Sequence, residues 1–116
     1  MRVLVCGGRD FADQSYLNYR LKLLHKATPI SVLIQGGARG ADSLAKTWAI
    51  INCVKVLEFP ADWETHGKSA GPIRNAQMLL EGKPDLVVAF KGGVGTRDMV
   101  RRAQYAGIRC IGYTPH

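Results

Sequence analysis

Four glycine-rich turns constrain this chain more than any other feature, because each follows a short apolar run and precedes a helix-like stretch. They read Cys6-Gly7-Gly8-Arg9-Asp10, Gln35-Gly36-Gly37-Ala38-Arg39-Gly40, Gly67-Lys68-Ser69-Ala70-Gly71-Pro72 and Lys91-Gly92-Gly93-Val94-Gly95-Thr96. In a sheet of parallel strands, successive strand-to-helix turns fall on the same carboxyl edge. The four turns therefore predict one shared crevice, and the function is expected there.

The runs Val3 to Cys6, Val32 to Gln35, Val54 to Glu58, Leu86 to Phe90 and Cys110 to Tyr113 are rich in β-branched or large apolar residues, as buried parallel strands are. Helical spacing fills the intervals. Leu17, Leu21 and Leu24 mark one face of a first helix with Asp13 placed to cap it, and Ala41, Leu44, Ala45 and Trp48 mark a second. A third is expected to begin at Pro72, to carry its apolar stripe on Ala76, Leu79 and Leu80, and to end in a left-handed cap at Gly82. The fourth uses Met99, Ala103 and Ala106 and stops at Gly107. Five strands joined by four helices through right-handed crossovers predict an α/β fold, a single Rossmann-like three-layer domain with an open, mainly parallel five-stranded sheet. The 116 residues, 47% of them hydrophobic, suit one domain over residues 1–116.

Sixteen Lys and Arg against nine Asp and Glu give a formal charge of +7, which predicts attraction to phosphate-bearing partners without choosing between nucleotides and nucleic acids. The opening run Val3 to Cys6 is too short for a signal-peptide core, and no apolar stretch approaches the roughly 20 residues of a membrane span. A soluble, cytoplasmic protein without membrane association is expected. Cys6, Cys53 and Cys110 are widely spaced in strand-like sequence and read as small, reduced core residues. No metal site or resident cofactor is predicted: His66 has no second His or Cys nearby.

Common nucleotide fingerprints are absent. The first turn lacks the three glycines of a dinucleotide motif, and Gly36 to Asp42 lacks the Lys-Ser/Thr pair of a P-loop. The turns nevertheless suit anion binding. Gly92, Gly93 and Gly95 permit close backbone approach, and the helix that follows offers free N–H groups, with Thr96 adding a hydroxyl or a cap. A second such turn at Gly36, Gly37 and Gly40, beside Gly7 and Gly8 on the same edge, strengthens that reading. The loop from Phe59 to Asn75 concentrates further chemistry. Trp63 can stack on a base or anchor the loop; Lys68 and Arg74 can reach phosphate or ribose or form a solvated face; Asp62 and Asn75 can bond sugar hydroxyls or a base edge, Asp62 alternatively capping a turn. Arg9, Asp10, Arg39 and Asp42 sit at the mouths of the first two turns. Their charges can pair with each other, and Asp42 also suits a first helical turn.

Taken together, Gly7-Gly8-Arg9-Asp10-Phe11, Gly36 to Asp42, Asp62-Trp63 with Gly67 to Asn75, and Gly92 to Thr96 resemble the YspA-type, cpYpsA-related branch of the SLOG superfamily across essentially the whole chain. The resemblance implies a Rossmann-like domain that binds nucleotides or nucleotide-derived ligands such as ADP-ribose compounds. Relatives include the LOG phosphoribohydrolases and the DNA-processing protein DprA/Smf. LOG enzymes carry Pro-Gly-Gly-x-Gly-Thr-x-x-Glu; the corresponding segment here keeps the glycines and Thr96, has Lys91 in place of the proline, and puts Met99 where the catalytic glutamate stands. Asp98 is one position earlier, about a hundred degrees away around a helix. Arg74 is similar to an arginine on the preceding helix of LOG enzymes.

These readings converge on a sensor or binding module for a nucleoside phosphate or ADP-ribose-like ligand at the carboxyl edge of the sheet. One alternative is a phosphoribohydrolase-like enzyme working through Asp10, Asp42 or Asp62, none of which the sequence singles out as catalytic. A DprA-like DNA-binding protein is the other; weak, non-specific nucleic-acid binding follows from charge alone, and the LOG likeness implies a homodimer.

Overall fold

The computed structural model describes residues 1–113. Five strands, β1 (Arg2–Cys6), β2 (Val32–Gln35), β3 (Lys55–Glu58), β4 (Leu86–Phe90) and β5 (Arg109–Tyr113), alternate with helices α1 (Gln14–Ala27), α2 (Ala41–Ile51), α3 (Trp63–His66), α4 (Ala70–Gly82) and α5 (Val94–Tyr105). All four strand pairings are parallel, in the order β3-β2-β1-β4-β5. The α/β, Rossmann-like architecture expected from the alternation is thus present. α3 and a 3-10 turn at Gly67–Ser69 are extra, built from the polar loop between β3 and α4.

Side chains alternate across the sheet and split the core in two. Val3 and Val5 pack with Leu17, Leu21, Ala45 and Trp48 under α1 and α2, while Leu4 and Cys6 pack with Met78, Met99 and Ala103 under α4 and α5. Every residue of β2 and β4 is buried; the edge strands β3 and β5 are largely half-buried or exposed. The chain runs outward from β1 through β2 to β3, then crosses back to β4. Its strand order reverses between β1 and β4, so the connections leaving those two strands run to opposite faces and open a crevice at their carboxyl ends.

Local details depart from the sequence pattern. Asp13 does cap α1, accepting the Tyr16 N–H at 3.1 Å. Pro72 is the third residue of α4, because the 3-10 turn leads straight into the helix; it still lies in the first turn, where no N–H is needed. Gly82 ends α4 in helical conformation, pressed so close to Ile34 that a β-carbon would lie 3.2 Å from it, and Lys83 takes the left-handed position with φ 49°. The buried face of α4 carries Ala70, Asn75, Met78 and Gly82, with Leu79 half-buried, whereas Ala76 and Leu80 point outward. Polar Asn75 occupies the inward bearing, which shifts the apolar stripe away from the true core face. Ala106 lies exposed beyond α5, and Gly107 turns the chain with φ 77°. Cys6 is buried, but Cys53 is exposed in a positive-φ turn between α2 and β3, where only the adjacent Val54 reaches the core.

Candidate functional site

The turns after β1 and β4 are tied together at the crevice. Gly8 N donates to Lys91 O at 2.9 Å, while Gly8 O accepts from Phe11 N and from Ala41 N, the first residue of α2, each at 3.2 Å. A β-carbon on Gly8 would lie 3.0 Å from Lys91 O, and one on Gly7 would press into Ala41 and Phe90. Gly40, with φ 82°, packs directly onto the Gly8 carbonyl and the Arg9 backbone, leaving no room for a side chain. The first, second and fourth turns thus form one interlocked floor.

The second turn uses its polar groups internally. Asp42 Oδ2 accepts from Gly36 N and Ala38 N, both at 3.2 Å. Gln35, fully buried at the end of β2, accepts from Gly37 N through Oε1 and donates through Nε2 to Glu58 at 2.7 Å. Arg74 donates through one terminal nitrogen to Gly36 O at 2.5 Å. Burial pushes the Asp42 carboxyl above its ordinary value, against the pull of the Ala38 N–H, the Arg74 charge and the Gly36 N–H. Gly36, Gly37 and Gly40 lie behind the cleft wall, with only Ala38 and Asp42 of this segment reaching it.

The fourth turn is the reverse case. α5 opens with Gly93 at its N-cap and no capping side chain; its first intrahelical bond is Arg97 N to Gly93 O at 3.1 Å. The N–H groups of Gly93, Val94, Gly95 and Thr96 make no hydrogen bond among the described residues, as expected of an uncapped helix start. A β-carbon on Gly93 or Gly95 would meet nothing within 4 Å. Gly92 is confined by contrast, its open side filled by the Thr96 side chain and Gly8 N.

These turns enclose a cleft of about 1090 Å³. Six cationic side chains line it: Arg9, Lys68, Arg74, Lys91, Arg97 and Arg101. Three of its four acids are already engaged. Asp13 caps α1, Asp42 holds the second turn, and Asp10 lies 3.8 Å from Arg39 in a fully exposed pair of little energetic weight. Asp98 accepts from Asn75 Nδ2 at 3.0 Å, Arg102 Nε at 2.8 Å and Arg101 at 3.2 Å. Burial pushes the Asp98 carboxyl up, but the hydrogen bonds from Asn75 and Arg102 and the Arg102 charge outweigh it and hold it below the ordinary value. The Cys6 thiol on the floor, pushed up to about 12 by burial and by the nearby Asp42 charge, stays protonated and unreactive.

Arg74 and Asn75 bridge the walls. Asn75 is 4% exposed and also donates to Gly95 O at 3.2 Å, fastening α4 to the start of α5. Arg74 donates through Nε to Asn75 Oδ1 at 3.1 Å and to the Gly36 carbonyl, so its contacts are neutral oxygens and it forms no ion pair among the described residues. Burial draws its pKa down, with Asp42 opposing, yet a guanidinium remains charged. Trp63 is 47% exposed at the start of α3, with the Arg9 guanidinium 5.2 Å from its ring centroid.

Of the sequence-predicted residues, Gly7, Gly8, Arg9, Asp10, Asp42, Trp63, Lys68, Arg74, Asn75, Gly92, Gly93, Gly95 and Thr96 line the cleft. Asp62 does not; it caps α3 by accepting Thr65 N at 3.1 Å, and Thr65 holds its carboxyl below the ordinary value. Sequence reasoning passed over Lys91, Arg97, Asp98 and Arg101 as site residues. A signal was present, since Arg97 and Arg101 stand four apart on one helical face and Asp98 stands four before Arg102. Met99, at the LOG glutamate position, is fully buried in the core under α4 and α5. Among the described residues no cluster of three His, Cys, Asp or Glu side chains could hold a metal ion, and no helix is long and apolar enough to cross a membrane.

The Gene 61 protein of Mycobacterium phage D29 is 41% identical over 121 aligned residues, which span 97% of this chain and 95% of that protein. Residues 1–66, covering β1 to α3 and the first two glycine turns, match the YspA, cpYpsA-related SLOG family, and the chain belongs to that family.

Proposed function

We propose that the domain binds a nucleotide or nucleotide-derived ligand in this cleft as a sensor or binding module, with a phosphate on the fourth turn. The carrying observation is the set of four unpaired N–H groups at Gly93 to Thr96, open to a cleft whose cations outnumber its free acids. Such an array supplies oriented donors and a partial positive charge to an anion. Arg74 adds a guanidinium without an ion-pair partner among the described residues, and Trp63 with Arg9 offers an aromatic and cationic platform for a base. Membership of a SLOG family supports a nucleotide-related role.

Binding is favoured over cleavage. Breaking an N-glycosidic bond calls for a carboxylate positioned beside an oxocarbenium-like centre. Met99 supplies no acid and faces the core, Asp13, Asp42 and Asp98 are each hydrogen-bonded already, and Asp10 is fully exposed with only a 3.8 Å pair to Arg39. Calorimetry with adenosine monophosphate and ADP-ribose, paired with an assay for free base and ribose phosphate, tests the reading. Saturable binding without product, weakened at least tenfold in Arg74→Ala, is expected. Product formation abolished by Asp10→Asn, Asp42→Asn or Asp98→Asn would replace it with a hydrolase; tight single-stranded DNA binding at physiological salt would replace it with a DNA-binding role.

A further inference from the structure

We infer that the groove between α4 and α5, on the outer side of the domain, receives a short acidic amphipathic helix of a partner protein. The groove encloses about 610 Å³ and is mostly apolar: Ala76, Leu79 and Leu80 come from α4, Tyr105 from α5, and Ala106 and Ile108 from just beyond it. Leu80 is 77% exposed and Tyr105 96%, although α4 already buries Met78 and Gly82 on its other side. Large apolar side chains gathered about one recess, rather than scattered singly, mark a surface that another molecule covers.

The charge of the groove selects that molecule. Its two remaining lining residues are Arg101 and Arg102, and no acid lines it. Asp98 accepts from Arg102 through Nε and from Arg101 through one terminal nitrogen. One carboxylate thus serves two guanidinia, and both terminal nitrogens of Arg102 and one of Arg101 keep unspent donors among the described residues. A carboxylate arriving over the groove meets forked donors at a net positive site. Glu81 and Lys83, exposed past the end of the α4 stripe, are of opposite sign and lie outside the lining.

Other occupants fit less well. The phosphates of a nucleic-acid backbone would leave Leu79, Leu80 and Ile108 without apolar cover. A second copy on the same face would bring both pairs of arginines to one contact, since a two-fold contact uses a surface twice. The lining is short beside the roughly 20 residues a side of a standard interface, so the occupant is a segment of a partner and not the face of a folded domain. A helix suits a trough between two helices, laying anchors at i, i+3 and i+7 into it, with acids beside those anchors reaching Arg101 and Arg102.

NMR titration of the isotope-labelled full chain tests this with a set of synthetic helical peptides. Each carries leucine at i, i+3 and i+7 and glutamate beside those positions, and each is paired with an analogue having glutamine for glutamate. The acidic peptides are expected to shift amides of residues 76–80 and 101–108 with a Kd of about 10–100 µM. Binding should weaken at least tenfold in the glutamine set and in Leu80→Glu, and should fall with rising salt as charge attraction is screened. Leu80 does not line the ligand cleft, so Leu80→Glu should keep wild-type nucleotide affinity. Equal binding of the glutamine peptides, silence of the whole set up to roughly 1 mM, or shifts centred on the fourth glycine turn would each overturn the inference. Shifts of the groove amides when the protein alone is diluted would give the groove to a second copy. Shifts there with a thymidine oligonucleotide, unchanged by Leu80→Glu, would give it to nucleic acid. Nucleotide affinity, measured separately on the same protein, decides the cleft reading independently of every one of these outcomes.

Discussion

The second and fourth glycine turns look alike in sequence and behave as opposites in the fold. From Gly36 to Ala38 every N–H is engaged: Asp42 takes two, Gln35 the third, and Arg74 binds the Gly36 carbonyl. The turn at Gly92 to Thr96 leaves the four N–H groups of Gly93 to Thr96 unpaired among the described residues and has open space beside Gly93 and Gly95. Glycine serves two purposes here. In the second turn it lets backbones touch; in the fourth it keeps a side chain out of a space that a ligand can enter. What separates the two is the neighbours, an acid and an amide flanking one turn and a lysine preceding the other.

The largest expected effect lies in the saturated turn. Gly40→Ala forces a β-carbon onto the Gly8 carbonyl at a positive φ that side chains rarely adopt. The backbone cost and the overpacking together predict a loss of about 3 kcal/mol in urea unfolding. A loss below about 1 kcal/mol would mean that the first and second turns are not interlocked. Asp42→Ala comes next, at about 2 kcal/mol, because it strips the acceptor from Gly36 N and Ala38 N. Unchanged stability there would erase the distinction between the turns.

The two acids beside these turns should respond to pH with opposite signs. Asp42 has a folded pKa raised above 3.8, so its contribution is present below 3.8 and is lost as the pH rises through the raised value. Asp98 has a folded pKa below 3.8, so its contribution is present above 3.8 and is lost as the pH falls through the lowered value. Asp42→Asn should therefore gain on the wild type as pH rises from acid, and Asp98→Asn should flatten the acid limb of the stability profile. Urea titrations across that range in the two variants decide it; profiles displaced in the same direction would refute the opposed environments.

Most of the architecture was legible because parallel strands advertise themselves. β4 is an unbroken apolar run and β2 is apolar up to Gln35, and a glycine turn follows each of the two directly. The outward stripe of α4 was misread because Ala76, Leu79 and Leu80 have helical spacing whichever side they face, while Asn75 turns inward to hold Gly95 and Asp98. Asp98 was not counted as a site residue because Asn75 lies 23 residues away and meets it only after α4 and α5 pack together. The glycines marked the crevice, but whether their N–H groups are spent depends on Gln35 and Asp42, whose bonds are made only in the folded chain. Local pattern therefore found the edge of the sheet and could not rank the turns along it.

Gly93→Val gives the smallest expected change in stability and the sharpest test of the comparison. Its φ is negative, at −109°, and a β-carbon there meets no protein atom within 4 Å. Valine should shift unfolding by no more than about 0.5 kcal/mol, as at a surface site without special contacts. The same side chain projects into the cleft mouth beside the unpaired N–H groups, where a phosphate would approach the backbone. Affinity for adenosine monophosphate or ADP-ribose should fall at least tenfold, equivalent to about 1.4 kcal/mol. The pairing of a silent stability change with lost binding separates a ligand-facing glycine from a packing glycine. If calorimetry finds Gly93→Val binding as tightly as the wild type, the open N–H groups are merely hydrated and the fourth turn loses its claim to the phosphate.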